Sequence, residues 1–98
     1  MNTKIEKLES GETIVSREPG NSMVPLIRHR QPVRIAPATW EEVEAGDMVY
    51  CKVNGCVYTH LVKAKNEKRG VLIANNKGRT NGLTKQVFGK VVEVLTDK

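Results

Sequence analysis

The stretch Met48-Val49-Tyr50-Cys51-Lys52-Val53-Asn54-Gly55-Cys56-Val57-Tyr58-Thr59-His60-Leu61-Val62 decides how this chain folds. Two runs rich in β-branched and aromatic residues are joined by Asn-Gly, the dipeptide that best accepts the two positive-φ positions of a tight hairpin turn. Such a turn pairs Val53 with Cys56, Cys51 with Tyr58 and Val49 with His60. Side chains alternate across a sheet, so these six residues share one face and His60 ends an otherwise largely apolar row. Cys51 and Cys56 stand on a diagonal of the ladder, about 7–8 Å apart. A disulfide prefers Cα atoms within about 6.8 Å, so both are read as reduced core residues.

Around the hairpin the chain reads as further short strands. Glu12 to Arg17 is β-rich and ends at Pro19-Gly20, and Pro32 to Pro37 is a strand bracketed by prolines, which confines it to an edge or to the ends of a ladder. Gly70 to Ala74 and Gln86 to Leu95 are strands, the second with Gly89 marking a bulge or bend. The stretch Asn75-Asn76-Lys77-Gly78-Arg79-Thr80-Asn81-Gly82 between them reads as a long polar loop. Thr39 and Glu42 form a capping box that predicts one helical turn over residues 39–44. Residues 1–11 read as a short arm or helix, with Ile5 and Leu8 at helical spacing, and residues 12–98 as a single domain. Strands at this spacing predict a mainly β fold, a small coiled antiparallel barrel or sandwich with one short helical turn.

Composition narrows the function classes. Ninety-eight residues, 39% hydrophobic and 28% charged, suit one small globular domain. No apolar run approaches the ~20 residues that span a bilayer, and the first residues lack the apolar core of a secretory signal. The expectation is a cytoplasmic protein without a membrane span. The net charge of +5 permits a polyanionic partner, but Trp40, Tyr50, Tyr58 and Phe88 are not interleaved with the basic residues, so nucleic acid is weakly supported. Two histidines and two cysteines show no zinc spacing, and neither a metal nor another cofactor is expected.

Upstream, Gly20-Asn21-Ser22-Met23-Val24-Pro25 bends the backbone around one hydroxyl. Gly20 can take a φ closed to other residues, and Pro25 pushes Val24 towards an extended conformation. Taken alone, Ser22 is a turn serine and His60 a half-buried polar residue at a strand end. Read together with Gly46-Asp47-Met48-Val49, Val57 to Val62 and Gly89-Lys90-Val91-Val92, the run from Gly20 to Pro25 resembles the nucleophile box of LexA/signal-peptidase-like serine peptidases. The four elements occur in the family's order across roughly residues 12 to 95.

The resemblance implies the coiled β fold of that family, with Ser22 as nucleophile and His60 as general base. Most such enzymes carry lysine at the second position, and His60 makes this chain similar to the histidine-type variant. Lys63 lies three residues on, where odd strand spacing sends it to the other face. Gly20 and Met23 fall at positions flanking the nucleophile and oxyanion site, with the Ser22 N–H as one oxyanion donor. The histidine-type relatives also have a supporting aspartate in the loop that here reads Asn75 to Gly82 and contains no acid. Asn75 or Asn76 is expected to orient the imidazole in its place. The implied function is hydrolysis of a peptide bond by a small endopeptidase whose substrate lies along a strand edge. The alternative is a catalytically silent domain that binds a protein or polyanion, as an accessory factor encoded by a phage or mobile element.

Overall fold

The structure, a computed structural model, describes residues 3–17 and 26–95. Among these residues one short helix, α1 (Thr3–Glu9), precedes seven strands: β1 (Ile14–Arg17), β2 (Pro32–Pro37), β3 (Met48–Val53), β4 (Cys56–Asn66), β5 (Gly70–Ala74), β6 (Thr80–Thr84) and β7 (Val87–Val94). All pair antiparallel in one sheet of order β1-β2-β7-β3-β4-β5-β6. The mainly β fold read from the sequence is the fold observed. Pro32 and Pro37 sit at the two ends of β2, so this interior strand keeps a ladder on both sides.

The sheet curls, and each face buries its own cluster. On one side Leu8, Ile14, Ile27, Val33, Ile35, Tyr50 and Val91 pack beneath α1. On the other, Val43, Val49, Cys51, Val53, Val62, Val71, Ile73 and Val87 fill the space enclosed by β3 to β6. Polar bonds tie β6 and the residues after it back to β3: the Thr84 hydroxyl donates to the Lys52 carbonyl at 2.6 Å, and the Lys52 N–H donates to the Gln86 carbonyl at 2.9 Å. These bonds turn the sheet's β3 to β6 half into a small coiled barrel. β3 and β7 also slip register between Tyr50 and Cys51, opposite the stretch from Val87 to Gly89, where the sequence anticipated a bulge.

α1 is held by its buried face and by its C-terminal end. Leu8 is buried in the core, and Glu12 N–H to Lys7 O with Gly11 N–H to Leu8 O closes a Schellman motif. The turn at residues 39–44 corrects the sequence reading. The Glu half of the capping box is made, with Thr39 N–H donating to Glu42 Oε1 at 2.8 Å, but Glu42 N–H donates to the Thr39 backbone carbonyl at 3.1 Å, the Thr39 hydroxyl donates to Glu42 Oε1, and no helix follows. Glu44 N–H instead donates to Asp47 Oδ2 and Asp47 N–H to Glu44 O, which turns the chain into β3. The polar stretch after β5 needs a second correction. Only Asn75 to Arg79 is a turn, and Thr80 to Thr84 is a strand paired with β5. Its sequence is polar and glycine-containing, so its strand character comes from its neighbour.

Gly70 shows how tightly β5 and β6 meet. Its φ is 98°, and a Cβ there would run into the backbone carbonyl of Thr84. Gly70→Ala combines backbone strain with a clash that no rotamer relieves, and we expect it to destabilise the fold by about 3 kcal/mol or more. Urea denaturation of the two proteins measures the difference.

Candidate active site

The β3–β4 hairpin has the register its sequence predicts. Asn54 and Gly55 take φ of 51° and 81°, and Val49 pairs with His60, Cys51 with Tyr58 and Val53 with Cys56. The face carrying Val49, Cys51 and Val53 points into the barrel core, which brings His60 to its rim with 6% of its surface exposed. Tyr58 lies against it with ring centroids 4.6 Å apart and planes inclined by 13°. The Tyr58 hydroxyl reaches both Cys56 and Asn81, and the bond to Cys56 is the main reason its pKa is raised.

The imidazole is oriented by Asn81, 3.0 Å from Nδ1 to Oδ1. A carbonyl oxygen only accepts, so Nδ1 carries the proton and the lone pair lies on Nε2. That is the tautomer a general base needs. Burial lowers the His60 pKa below its ordinary value near 6.5, opposed by the Asn81 bond, which raises it. The ring is therefore neutral at pH 7 and able to accept a proton.

This shift has a stability consequence. The unfolded chain binds a proton at His60 at higher pH than the folded chain does, so the stability associated with the neutral ring is present above about pH 6.5 and is lost as pH falls through the folded value. Thermal unfolding followed between pH 7.5 and 5 is expected to show a falling melting temperature, with a shallower fall for His60→Gln.

Sequence reasoning gave the orienting role to Asn75 or Asn76, and the structure gives the imidazole bond to Asn81. Asn75 Oδ1 is occupied within its own turn, accepting from the N–H groups of Lys77 at 2.9 Å and Arg79 at 3.0 Å. Asn76 lies beside it in the same turn, before β6 begins. Asn81 was hidden because Asn-Gly inside a polar run signals a turn. The available clue was that β5 needs a partner, and Asn81 lies where an antiparallel return would put it. Gly20, Ser22 and Met23 fall outside the described residues.

The remaining candidates separate clearly. Lys63 stands at a register shift between Val62 and Ala64 and is exposed. Asp47 supports its turn, as expected, and lies 3.5 Å from the Lys90 ammonium. Cys51 is buried, with its pKa pushed up to about 12 by desolvation, so it is no nucleophile. Cys56, read from the sequence as a core residue, is exposed because it opens β4 beside the hairpin turn; both cysteines are free. Among the described residues no group of histidine, cysteine and carboxylate side chains is arranged to hold a metal ion, and no helix is long and apolar enough to cross a membrane.

The structure thus combines a coiled β sheet with a buried histidine at its rim, held by an asparagine. The sequence profile described as Peptidase S24-like matches residues 3–92. The chain belongs to this family, the LexA/signal-peptidase-like group. No curated protein matches it significantly.

Proposed function

We propose that this protein is a small serine endopeptidase in which Ser22 is the nucleophile, His60 the general base and Asn81 the group that orients the base. The supporting observation is the 3.0 Å bond from His60 to Asn81 Oδ1, which commits the imidazole to the tautomer with its lone pair on Nε2. Ser22 Oγ attacks the peptide carbonyl carbon while Nε2 takes the hydroxyl proton. The same proton passes to the leaving amine as the C–N bond breaks. Water then repeats the sequence on the acyl-enzyme, releasing the acid and restoring Ser22. The Ser22 N–H serves as an oxyanion donor, with Gly20 and Met23 shaping the turn around it. The substrate is an extended peptide added along a strand edge.

A second reading has its own support. Asn81 is an amide, so it orients the imidazole without supplying the negative charge that stabilises an imidazolium, and the ring is buried and stacked on Tyr58. These features suit a peptidase-like domain that binds a protein or polyanion and cuts nothing. Incubation with a pool of internally quenched fluorescent peptides separates the two. Fluorescence that rises with wild type and stays flat with Ser22→Ala supports the peptidase; equal traces support the binding domain.

A further inference from the structure

The hairpin turn that fixes the β3–β4 register also reaches across to the residue that orients His60. Asn54 Nδ2 donates to the backbone carbonyl of Asn81 at 2.8 Å. The acceptor is a carbonyl, so the donor must be the Asn54 amide nitrogen, and its orientation is fixed. Asn81 thus has its main chain held by the tip of the hairpin and its side chain on the imidazole. The next residue keeps this arrangement close. Gly82 has φ of 129°, and a Cβ there would lie 3.2 Å from Asn54 Nδ2 and 3.4 Å from Val53 Cγ2. A side chain at position 82 would press on the Asn54 amide.

We infer that Asn54 is a positioning residue for His60: its side chain, in the turn of the same hairpin, pins the Asn81 backbone and so fixes the imidazole tautomer from across the sheet. Turn formation alone does not require this bond, since Gly and Asp are also favoured at the first position of such a turn. Asn54 is thus doing two separable jobs. Its backbone makes the turn, and its amide holds β6. Three residues along β6, the Thr84 hydroxyl reinforces the same seam by donating to the Lys52 carbonyl.

The test is ring nitrogen NMR of His60 in wild type, Asn54→Gly and Asn54→Asp, with Asn66→Ala as the control. Both Asn54 variants keep a favourable turn and lose the donor. Asn66 caps the other hairpin turn, accepting from Lys68 and Arg69 N–H groups, so its loss loosens the fold without touching this seam. Wild type is expected to show one tautomer, protonated at Nδ1. In both Asn54 variants the ratio of the Nδ1–H to the Nε2–H form is expected to fall by roughly 2- to 30-fold, while Asn66→Ala keeps the wild-type ratio. Unchanged nitrogen shifts in the folded Asn54 variants, or an equal change in Asn66→Ala, would overturn the assignment. The catalytic consequence, a fall in kcat of similar size at unchanged KM, rests on the peptidase reading. The NMR readout does not, so a failure of either can be told from a failure of the other.

Discussion

Asn81→Asp is expected to raise kcat/KM for peptide hydrolysis by about 10- to 10³-fold. In the serine-protease template, replacing the orienting aspartate by asparagine costs about 10⁴ in turnover, chiefly through the wrong tautomer. Here the asparagine already selects the useful tautomer, because Oδ1 faces Nδ1 at 3.0 Å. What it lacks is charge, and a carboxylate at the same place would stabilise the imidazolium that forms as Ser22 gives up its proton. The gain should therefore fall below the template's full factor. The same substitution raises the His60 pKa, so the acid limb of the rate profile moves to higher pH. Initial rates measured from pH 5 to 9 report both effects, and an Asn81→Asp protein slower than wild type would show that the amide is not standing in for an acid.

His60→Gln is expected to lower kcat by about 10³- to 10⁵-fold, less than the roughly 2 × 10⁶ for losing the base of a complete triad, because this site has no charged partner for the imidazolium to lose. Glutamine is chosen because its amide can still bond Asn81 and occupies part of the ring's volume beside Tyr58, which limits the loss of packing at a residue only 6% exposed. KM should change little, since the imidazole acts on the proton and not on the body of the substrate. Lys63→Ala, by contrast, removes an exposed side chain from a register shift and leaves turnover intact. A pH profile whose acid limb lies below 6.5 in wild type and vanishes with His60→Gln ties the base to this residue. An unchanged rate in a folded His60→Gln protein would remove it from the mechanism.

The parts of the fold that were legible in the sequence are those set by local chemistry. Asn54-Gly55 dictates its own turn, and the turn dictates which residues oppose one another, so the placement of His60 on the face of Val49 and Cys51 followed from counting by twos. Pro32 and Pro37 bounded β2 for the same reason. What escaped was set by partners distant in sequence. Thr80 to Thr84 has no apolar alternation and becomes a strand because Val71 to Ala74 offers it a ladder. Asn81 therefore could not be separated from the other asparagines of its stretch until β6 was in place. Of the Thr39–Glu42 box, the bond from Thr39 N–H to the Glu42 carboxylate forms, while the Thr39 hydroxyl turns to that carboxylate instead of the Glu42 N–H, and no helix starts because the bond from Glu44 to Asp47 diverts the chain. Cys56 was assigned to the core by parity, yet parity fixes a face and not the depth at which a residue beside a hairpin turn is covered.

The central claim, that Ser22 and His60 hydrolyse peptide bonds, is tested most directly by identifying new peptide termini by mass spectrometry after a proteome-derived peptide pool is incubated with the protein. Wild type is expected to generate termini that share a side-chain preference around the cut, and Ser22→Ala to generate none of them. The same termini from both proteins, or none from a wild-type protein shown to be folded, would contradict the account and leave the binding domain as the function of this fold.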